Sequence, residues 1–162
     1  MHFIGIDPGR QGAICLLDPS ADQPYFISLD PTKHSASDIV NTLTYELETA
    51  DDCAIALELV HSLGGMSAKS NFTFGGMFWR AMTILDCLRI TYELVTPKDW
   101  QQSVGVPAKC DRGPDEGIKT IVARMAHELY PEAALYGPRG GLLDGRSDAL
   151  MIAHYLRLKH GG

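Results

Sequence analysis

Cysteine is scarce in this 162-residue chain, and its four occurrences lie far apart. Cys15, Cys53, Cys87 and Cys110 form no CxxC pair and no spacing typical of a zinc site. Three of them stand in apolar stretches, where a reduced cysteine acts as a small hydrophobic residue. The pattern argues against a disulfide framework and favours a reducing, cytoplasmic setting.

Long hydrophobic runs are also missing. No run approaches the roughly 18 apolar residues of a membrane-spanning helix, and Asp7 and Arg10 interrupt the first apolar segment in a way that is not typical of a signal peptide. We therefore expect no membrane partner. With 45% hydrophobic and 21% charged residues, the composition is typical of a soluble globular protein. The length predicts one domain, residues 1–162.

Positive charge is in short supply, since 14 Lys and Arg face 20 Asp and Glu, for a net charge of −6. That balance argues against a nucleic-acid partner. Its distribution is uneven, however: residues 1–58 carry two basic and ten acidic side chains, whereas residues 59–162 carry twelve and ten. Basic residues spread in this way are typical of an ordinary solvated surface. The charge of residues 59–162 also permits contact with DNA.

The apolar patterning predicts a mixed α/β fold. A hairpin comes first and later strands are reached by helical crossovers, so we expect a five-stranded sheet with three antiparallel strands, then parallel strands, and helices on its faces. The predicted strands are 2–7, 11–17, 24–29, 52–60 and 91–95. The predicted helices are about 35–49, 74–89, 97–104, 115–130 and 144–159, with a polar loop at 105–114.

The stretch HFIGIDPGRQGAICLL places a carboxylate, Asp7, at the inner end of an apolar strand. One interpretation is turn chemistry, since Asp-Pro-Gly commonly starts a hairpin. The other is a site that Asp7 shares with further carboxylates, which the rest of the chain has to supply.

Glu58 interrupts a second apolar run, DCAIALELV, and alternation puts it on one strand face with Ala54 and Ala56. A lone buried carboxylate costs several kcal/mol unless it is paired or neutralised. An exposed edge strand would avoid that cost, whereas the apolar flanks favour a central strand.

Two further carboxylates, Asp144 and Asp148, stand four residues apart in LDGRSDALMIAHYL. If the helix already includes Gly145, this spacing puts both on one side. Alternatively, one of them merely caps the helix.

Together these positions explain one another. If the first and fourth strands are neighbours and the last helix packs on them, Asp7, Glu58, Asp144 and Asp148 meet, and such a cluster is strongly repulsive when empty. Hard divalent cations remove the repulsion, and Mg²⁺ is usual in phosphate chemistry. Two ions roughly 4 Å apart support hydrolysis of a phosphodiester. We predict these four residues as metal ligands and catalytic residues.

The segments GIDPG, ALELV and DGRSDALMIA, in this order, resemble the RuvC-type Holliday junction resolvases of the ribonuclease H-like superfamily. MSAKSNFTFGG and VTPKDW are similar to its phage-encoded branch. The resemblance spans nearly the whole chain and implies a metal-dependent endonuclease that resolves four-way DNA junctions by paired nicks. It implies two Mg²⁺ per site, with Mn²⁺ as a substitute, no nucleotide cofactor, and a location in the cytoplasm of a bacterium or an infected host cell.

The same resemblance assigns roles to the acidic residues. Asp7 matches the metal-bridging ligand, Glu58 the second-strand ligand, and Asp148 the aspartate of the DALxIA helix. Better-known bacterial members space the last pair three residues apart, a place that Gly145 holds here. The four-residue spacing of Asp144 resembles the phage-type branch.

A homodimer and DNA contacts are implied as well, because two symmetric nicks need two sites related by a two-fold axis. Family members insert an aromatic side chain near the junction centre, and here the loop after the glutamate strand offers His61, Met66, Phe72 and Phe74. Phe72 and Phe74 could instead pack the start of the next helix, and we expect Trp100 in the core rather than on DNA. The predicted DNA contacts are Phe72 and Phe74 and the basic residues Lys69, Lys98, Lys109, Arg112 and Lys119.

Three other functions compete with this interpretation. A nuclease of the same fold could act on forks, flaps or RNA. An actin-like phosphotransferase would need two such domains and an adenosine site, for which this chain is too short. A non-catalytic DNA-binding module would have little reason to contain four clustered carboxylates.

Overall fold

The computed structural model describes residues 1–9, 11–21, 23–50, 52–60, 67–113 and 116–161. Within these ranges, five strands and five α-helices follow one another. They are β1 (His2–Asp7), β2 (Ala13–Leu17), β3 (Tyr25–Ser28), α1 (Ala36–Thr49), β4 (Cys53–Glu58), α2 (Ala68–Cys87), β5 (Glu93–Val95), α3 (Pro97–Ser103), α4 (Ile118–Leu129) and α5 (Asp144–Lys159). None of these helices combines the length and the apolar character that a membrane crossing requires.

The strands form one five-stranded sheet in the order β3-β2-β1-β4-β5. Strands β1, β2 and β3 are antiparallel neighbours, whereas β4 runs parallel to β1 and β5 parallel to β4. The predicted mixed sheet is therefore confirmed. Because β1 and β4 are adjacent and parallel, their carboxyl ends share one edge of the sheet. Asp7 and Glu58 close those two strands at that edge.

Helices cover both faces of the sheet, and each face has its own hydrophobic cluster. On one face, large aliphatic side chains of the strands pack against α1 and α2. On the other face, smaller strand residues pack against α5, α4 and Trp100 of α3. A Cβ atom at Gly5 would overlap the backbone of Ala149 and Ala153, so α5 crosses β1 in close contact with it. This crossing fixes the start of α5 near the end of β1.

Helix ends show where local capping decided the boundaries. Ser35 caps α1 in a capping box with Asp38, and Thr96 caps α3. Helix α2 begins at Ala68 rather than near Phe74, because the Ser67 side chain accepts a hydrogen bond from the backbone N–H of Ser70, at 3.1 Å.

Two other predicted boundaries differ from the structure. Helix α4 begins at Ile118, and its predicted first residue, Asp115, lies outside the described residues. The predicted loop at 105–114 contains one turn of 3₁₀ helix, Lys109–Asp111. Neither difference moves a strand or changes the order of the sheet.

Candidate active site

Asp7 is the last residue of β1 and is buried, with 8% of its surface exposed. Its Oδ1 accepts a hydrogen bond from the backbone N–H of Gly9 at 3.0 Å. The residue therefore takes part in the turn, as the simpler interpretation holds, and also faces other acids. Burial first, and then repulsion by Glu58, raise the pKa of Asp7 to about 7. A buried aspartate with this pKa is about half protonated near neutral pH, and a nearby cation would favour its ionised form.

Glu58 ends β4, one strand away from Asp7, and is half-buried. Its Oε1 accepts a hydrogen bond from the indole Nε1–H of Trp100 at 2.7 Å. Burial raises the pKa of Glu58, and this hydrogen bond acts in the opposite direction. Glu58 lies on a central strand, between β1 and β5, so the interpretation as an exposed edge-strand residue is wrong.

Asp144 and Asp148 lie on the first two turns of α5. Neither caps the helix, because the N-cap residue is Leu143 and no side chain makes the capping hydrogen bond. Burial first, and then repulsion by Asp7, raise the pKa of Asp148 to about 8. A Cβ atom at Gly145 would overlap the carbonyl oxygen of Gln11 and lie 3.0 Å from Oδ2 of Asp7. There is consequently no room for a metal-binding side chain at position 145. Asp144 is the acidic residue on this turn of the helix.

All four acids line one cleft of about 540 Å³ at the carboxyl edge of the sheet. They reach it from three elements, β1, β4 and α5. The remaining lining residues are Gly9, Gln11, Phe74 and Lys119. The sequence-predicted acids are thus brought together, although they are separated by up to 141 positions along the chain.

Among the described residues, the basic side chain that lines this cleft is that of Lys119 on α4, which forms an ion pair with Asp144. The ion pair, together with the nearby carboxylates, raises the pKa of Lys119, which therefore stays charged. Its charge lowers the pKa of Asp7 and of Asp148, against the larger effect of burial. Lys119 thereby supplies part of the positive charge that the cluster requires.

The donor set fits hard divalent cations, since every ligand is a carboxylate. Within the described ranges, no three Asp, Glu, His or Cys side chains stand close enough to form a ready-made metal shell. Lys119 pairs with Asp144, and Trp100 holds one oxygen of Glu58. The raised pKa values of Asp7 and Asp148 nevertheless mark a cluster whose ionised form gains from added positive charge.

Comparison with solved structures identifies the fold. RuvC of Thermus thermophilus in complex with a Holliday junction substrate is 15% identical, covers 99% of this chain and 97% of its own, and superposes with a TM-score of 0.56. The chain has the RuvC fold. A second Thermus thermophilus RuvC structure is 16% identical, with coverages of 98% and 97% and a TM-score of 0.50. No protein-family model and no curated protein sequence matches the chain. The resemblance to a phage-encoded branch stays a prediction.

The predicted DNA contacts are spread around this RuvC fold. Lys119 and Phe74 line the carboxylate cleft. Lys69 and Lys98 are exposed near the first turns of α2 and α3, and Phe72 is 85% exposed on α2, so Phe72 does not pack the helix start. Lys109 is exposed on the 3₁₀ turn, and the Nε–H of Arg112 donates to the carbonyl of Pro107 at 2.9 Å. His61 and Met66 lie outside the described residues.

Sequence reasoning missed two features of the site. Trp100 is in the core as expected, yet its N–H reaches Glu58. An apolar cavity of about 350 Å³ also adjoins the cleft and shares Glu58, Phe74, Lys119 and Asp148 with it. The sequence contains one signal for the Trp100 contact. The predicted fifth strand ends at residue 95, at the same sheet edge as Glu58, and Trp100 follows four residues after Thr96, near the start of the next helix.

Proposed function

We propose that this protein is a metal-dependent endonuclease that resolves four-way DNA junctions by paired symmetric nicks. One observation carries the proposal: Asp7, Glu58, Asp144 and Asp148 line a single cleft at the carboxyl edge of a RuvC-fold sheet. One of the solved structures that share this fold over nearly their whole length is a RuvC in complex with a Holliday junction substrate. The whole chain would then act as one nuclease domain.

In this mechanism Asp7, Glu58, Asp144 and Asp148 would hold two divalent ions, Mg²⁺ or Mn²⁺. Such ions supply activation of water and stabilisation of the leaving oxygen in phosphodiester hydrolysis. The chain's own groups keep the carboxylates in place. The Gly9 N–H fixes one oxygen of Asp7, and the crossing of α5 over Gly5 fixes Asp148 beside it. Lys119 offsets the excess negative charge next to Asp144.

DNA would approach over the side of the cleft formed by α2, α3 and α4. Lys119 and Phe74 stand at the cleft itself. Lys69, Lys98, Lys109 and Arg112 would contact phosphates farther along the backbone, which orients the duplex arms without reading sequence. Phe72, exposed at the start of α2, is the candidate for insertion between bases.

The proposal includes a homodimer, since symmetric nicks require two sites related by a two-fold axis. Helix α2 supplies a surface for it. Trp79 is 65% exposed there, and a Cβ atom at Gly75 or Gly76 would meet nothing within 4 Å. Exposed aromatic surface next to small residues allows two helices to approach closely, which suits contact with a second copy of this helix.

The test compares a four-way junction, a Y-fork and a duplex of the same sequence in Mg²⁺ or Mn²⁺. We expect two symmetric nicks with ligatable 5′-phosphates in the junction alone. Asp7→Asn should bind the junction and leave it uncut. Asp18→Asn is the matched control, because Asp18 lies beside His2 at the opposite end of the sheet. An intact junction with both metals would reject the proposal, and full activity of Asp7→Asn would reject the metal role of Asp7.

The second candidate is a nuclease of broader substrate range, acting on forks, flaps or RNA. The lining of the cleft favours this candidate. Its carboxylates and Lys119 can recognise a phosphodiester, which every nucleic acid contains, and none of them would recognise the centre of a junction in particular. Equal cleavage of fork and junction in the same assay would select this candidate.

A further inference from the structure

Trp100 combines full burial with a polar contact to the candidate site. It is 0% exposed and belongs to the hydrophobic cluster beneath α4 and α5. Its indole Nε1–H donates to Oε1 of Glu58 at 2.7 Å. The indole group is a donor only, and a buried tryptophan N–H usually finds a partner. Here the partner is one of the four cleft carboxylates.

The chain delivers this indole to Glu58 by a short, fixed route. In the parallel pair β4–β5, Glu58 stands opposite Val95. The next residue, Thr96, caps α3 by accepting from the N–H of Asp99. Trp100 is therefore on the first turn of a helix that starts at the same edge as Glu58. Its position depends on the sheet register and on a capped helix start rather than on a loop.

The contact constrains Glu58 without adding charge. Among the hydrogen bonds of the described residues, Oε1 of Glu58 is engaged and Oε2 makes none. Lysine or arginine at position 100 would bring a positive charge that competes with a bound cation, whereas the neutral indole only orients the carboxylate. Groups that hydrogen-bond to metal ligands typically contribute 10–100-fold to metal affinity.

We propose that Trp100 is a positioning residue: by holding Oε1 of Glu58 it keeps Oε2 directed to the cleft as a ligand for a divalent cation. This inference rests on the proposed metal-dependent function. It concerns cation binding, however, and can be measured without DNA.

The experiment titrates Mn²⁺ into the protein by calorimetry, comparing wild type, Trp100→Phe and Tyr45→Phe. Phenylalanine keeps an apolar ring but removes the N–H. We expect Trp100→Phe to weaken Mn²⁺ affinity 10–100-fold. The matched control Tyr45→Phe also removes a polar hydrogen from an aromatic side chain, but Tyr45 is exposed on α1, beside His2 and Asp18, and the change should leave the affinity unchanged. Unchanged affinity in a folded Trp100→Phe would overturn the proposal.

A double-mutant cycle separates positioning from general damage to the core. In a Glu58→Ala background, Trp100→Phe should cost no further Mn²⁺ affinity, because the carboxylate that it positions is gone. An equal loss in both backgrounds would mean that Trp100 acts only through packing, which contradicts the proposal.

A measurement on intact Trp100 keeps the proposal testable if Trp100→Phe does not fold. In the Trp79→Phe protein, Trp100 supplies the only indole N–H resonance. We expect Mg²⁺ to shift this resonance and Mn²⁺ to broaden it, and a resonance indifferent to both would overturn the proposal. Mn²⁺ binding by wild type without cleavage of any DNA would instead reject the proposed function and leave the Trp100 assignment intact.

Discussion

The two faces of the central sheet use different kinds of residue. The face that meets α1 and α2 is built from large aliphatic side chains, among them Ile4, Ile6, Ile14, Leu16 and Ile55. The face that meets α5 is built mainly from small residues, among them Gly5, Ala13, Cys15, Ala54 and Ala56. Asp7 and Glu58 close β1 and β4 at the edge of that second face, where the cleft with Asp144 and Asp148 lies.

Side-chain size explains why the carboxylate cleft lies on the face that meets α5. Large aliphatic residues fill the space under α1 and α2, which favours stability through buried apolar area. Small residues instead let α5 come close to β1, and this brings the backbone next to Asp148 near the end of β1. Apolar packing on one face can therefore offset the unfavourable burial of carboxylates on the other.

Gly5→Ala should have the largest effect of the variants considered, because it changes the residue that lets α5 approach β1. The added Cβ would overlap the backbone of Ala149 and Ala153, which cannot move like a flexible side chain. We expect a loss of at least about 3 kcal/mol in the free energy of unfolding, measured by urea denaturation, and loss of Mn²⁺ binding as α5 shifts. On the other face, Ile6→Val should cost only about 1 kcal/mol. Equal costs at the two positions would contradict the proposed difference between the faces.

The pH dependence of stability tests the electrostatic side of the comparison. Burial raises the pKa of Asp7 to about 7 and of Asp148 to about 8. Between the ordinary carboxyl values near 4 and these values, the folded protein binds more protons than the unfolded chain. The metal-free protein should therefore lose stability as the pH rises from about 4 to about 8.

Asp148→Asn sharpens that prediction, because it removes one of the titrating groups. At pH 8 and without metal, its melting temperature should exceed that of wild type by several degrees, since 1 kcal/mol corresponds to roughly 2–4 °C at this chain length. At pH 5 the difference should shrink. Mg²⁺ should raise the melting temperature of wild type at pH 8 more than that of the variant. A wild type that gains stability toward pH 8 without metal would contradict this account.

The sequence predicts those parts of the site that depend on strand ends. Asp7 and Glu58 stand out because each interrupts an apolar run, and the hairpin followed by helical crossovers makes their strands neighbours. The i, i+4 spacing then places Asp144 and Asp148 on one side of a helix. These inferences need only local pattern and the direction of strands.

Other features of the site depend on distances between residues, which a sequence pattern does not contain. Gly5 reads as a weak point in a strand until α5 is known to cross there. Trp100 reads as core, and whether its N–H meets Glu58 follows from the β4–β5 register. The polar, glycine-containing start of α2 reads as a loop, although Ser67 caps it as helix. Tertiary contacts decided the first two cases, and a local capping hydrogen bond decided the third.

Lys119→Gln tests how strongly the charge of Lys119 affects the pKa values of the cleft carboxylates. Because the charge of Lys119 lowers the pKa of Asp7 and of Asp148, its removal should move the pH profile of cleavage upward. The side chain of Lys119 is 67% exposed, so solvent screening should keep the shift below about one pH unit. Arg124→Gln on the same helix is the control, since Arg124 pairs with Glu116 and Glu128 instead. If the pH profile of cleavage is unchanged, Lys119 does not affect the carboxylates and contributes only through contact with DNA.

The salt dependence of junction binding tests which side of the protein contacts DNA, and here we expect only a small change. Lys98→Gln on α3 removes one predicted phosphate contact, so the slope of log K against log salt for junction binding should fall by about 0.9. Lys159 is also exposed, but it is the last residue of α5, at the other end of that helix from Asp144 and Asp148, where it pairs with Glu93. Lys159→Gln should therefore leave the slope unchanged. The slope is measured by fluorescence anisotropy, with Ca²⁺ in place of Mg²⁺ to prevent cleavage. Equal slopes for the two variants would mean that DNA contact is not confined to the end of α5 that carries Asp144 and Asp148.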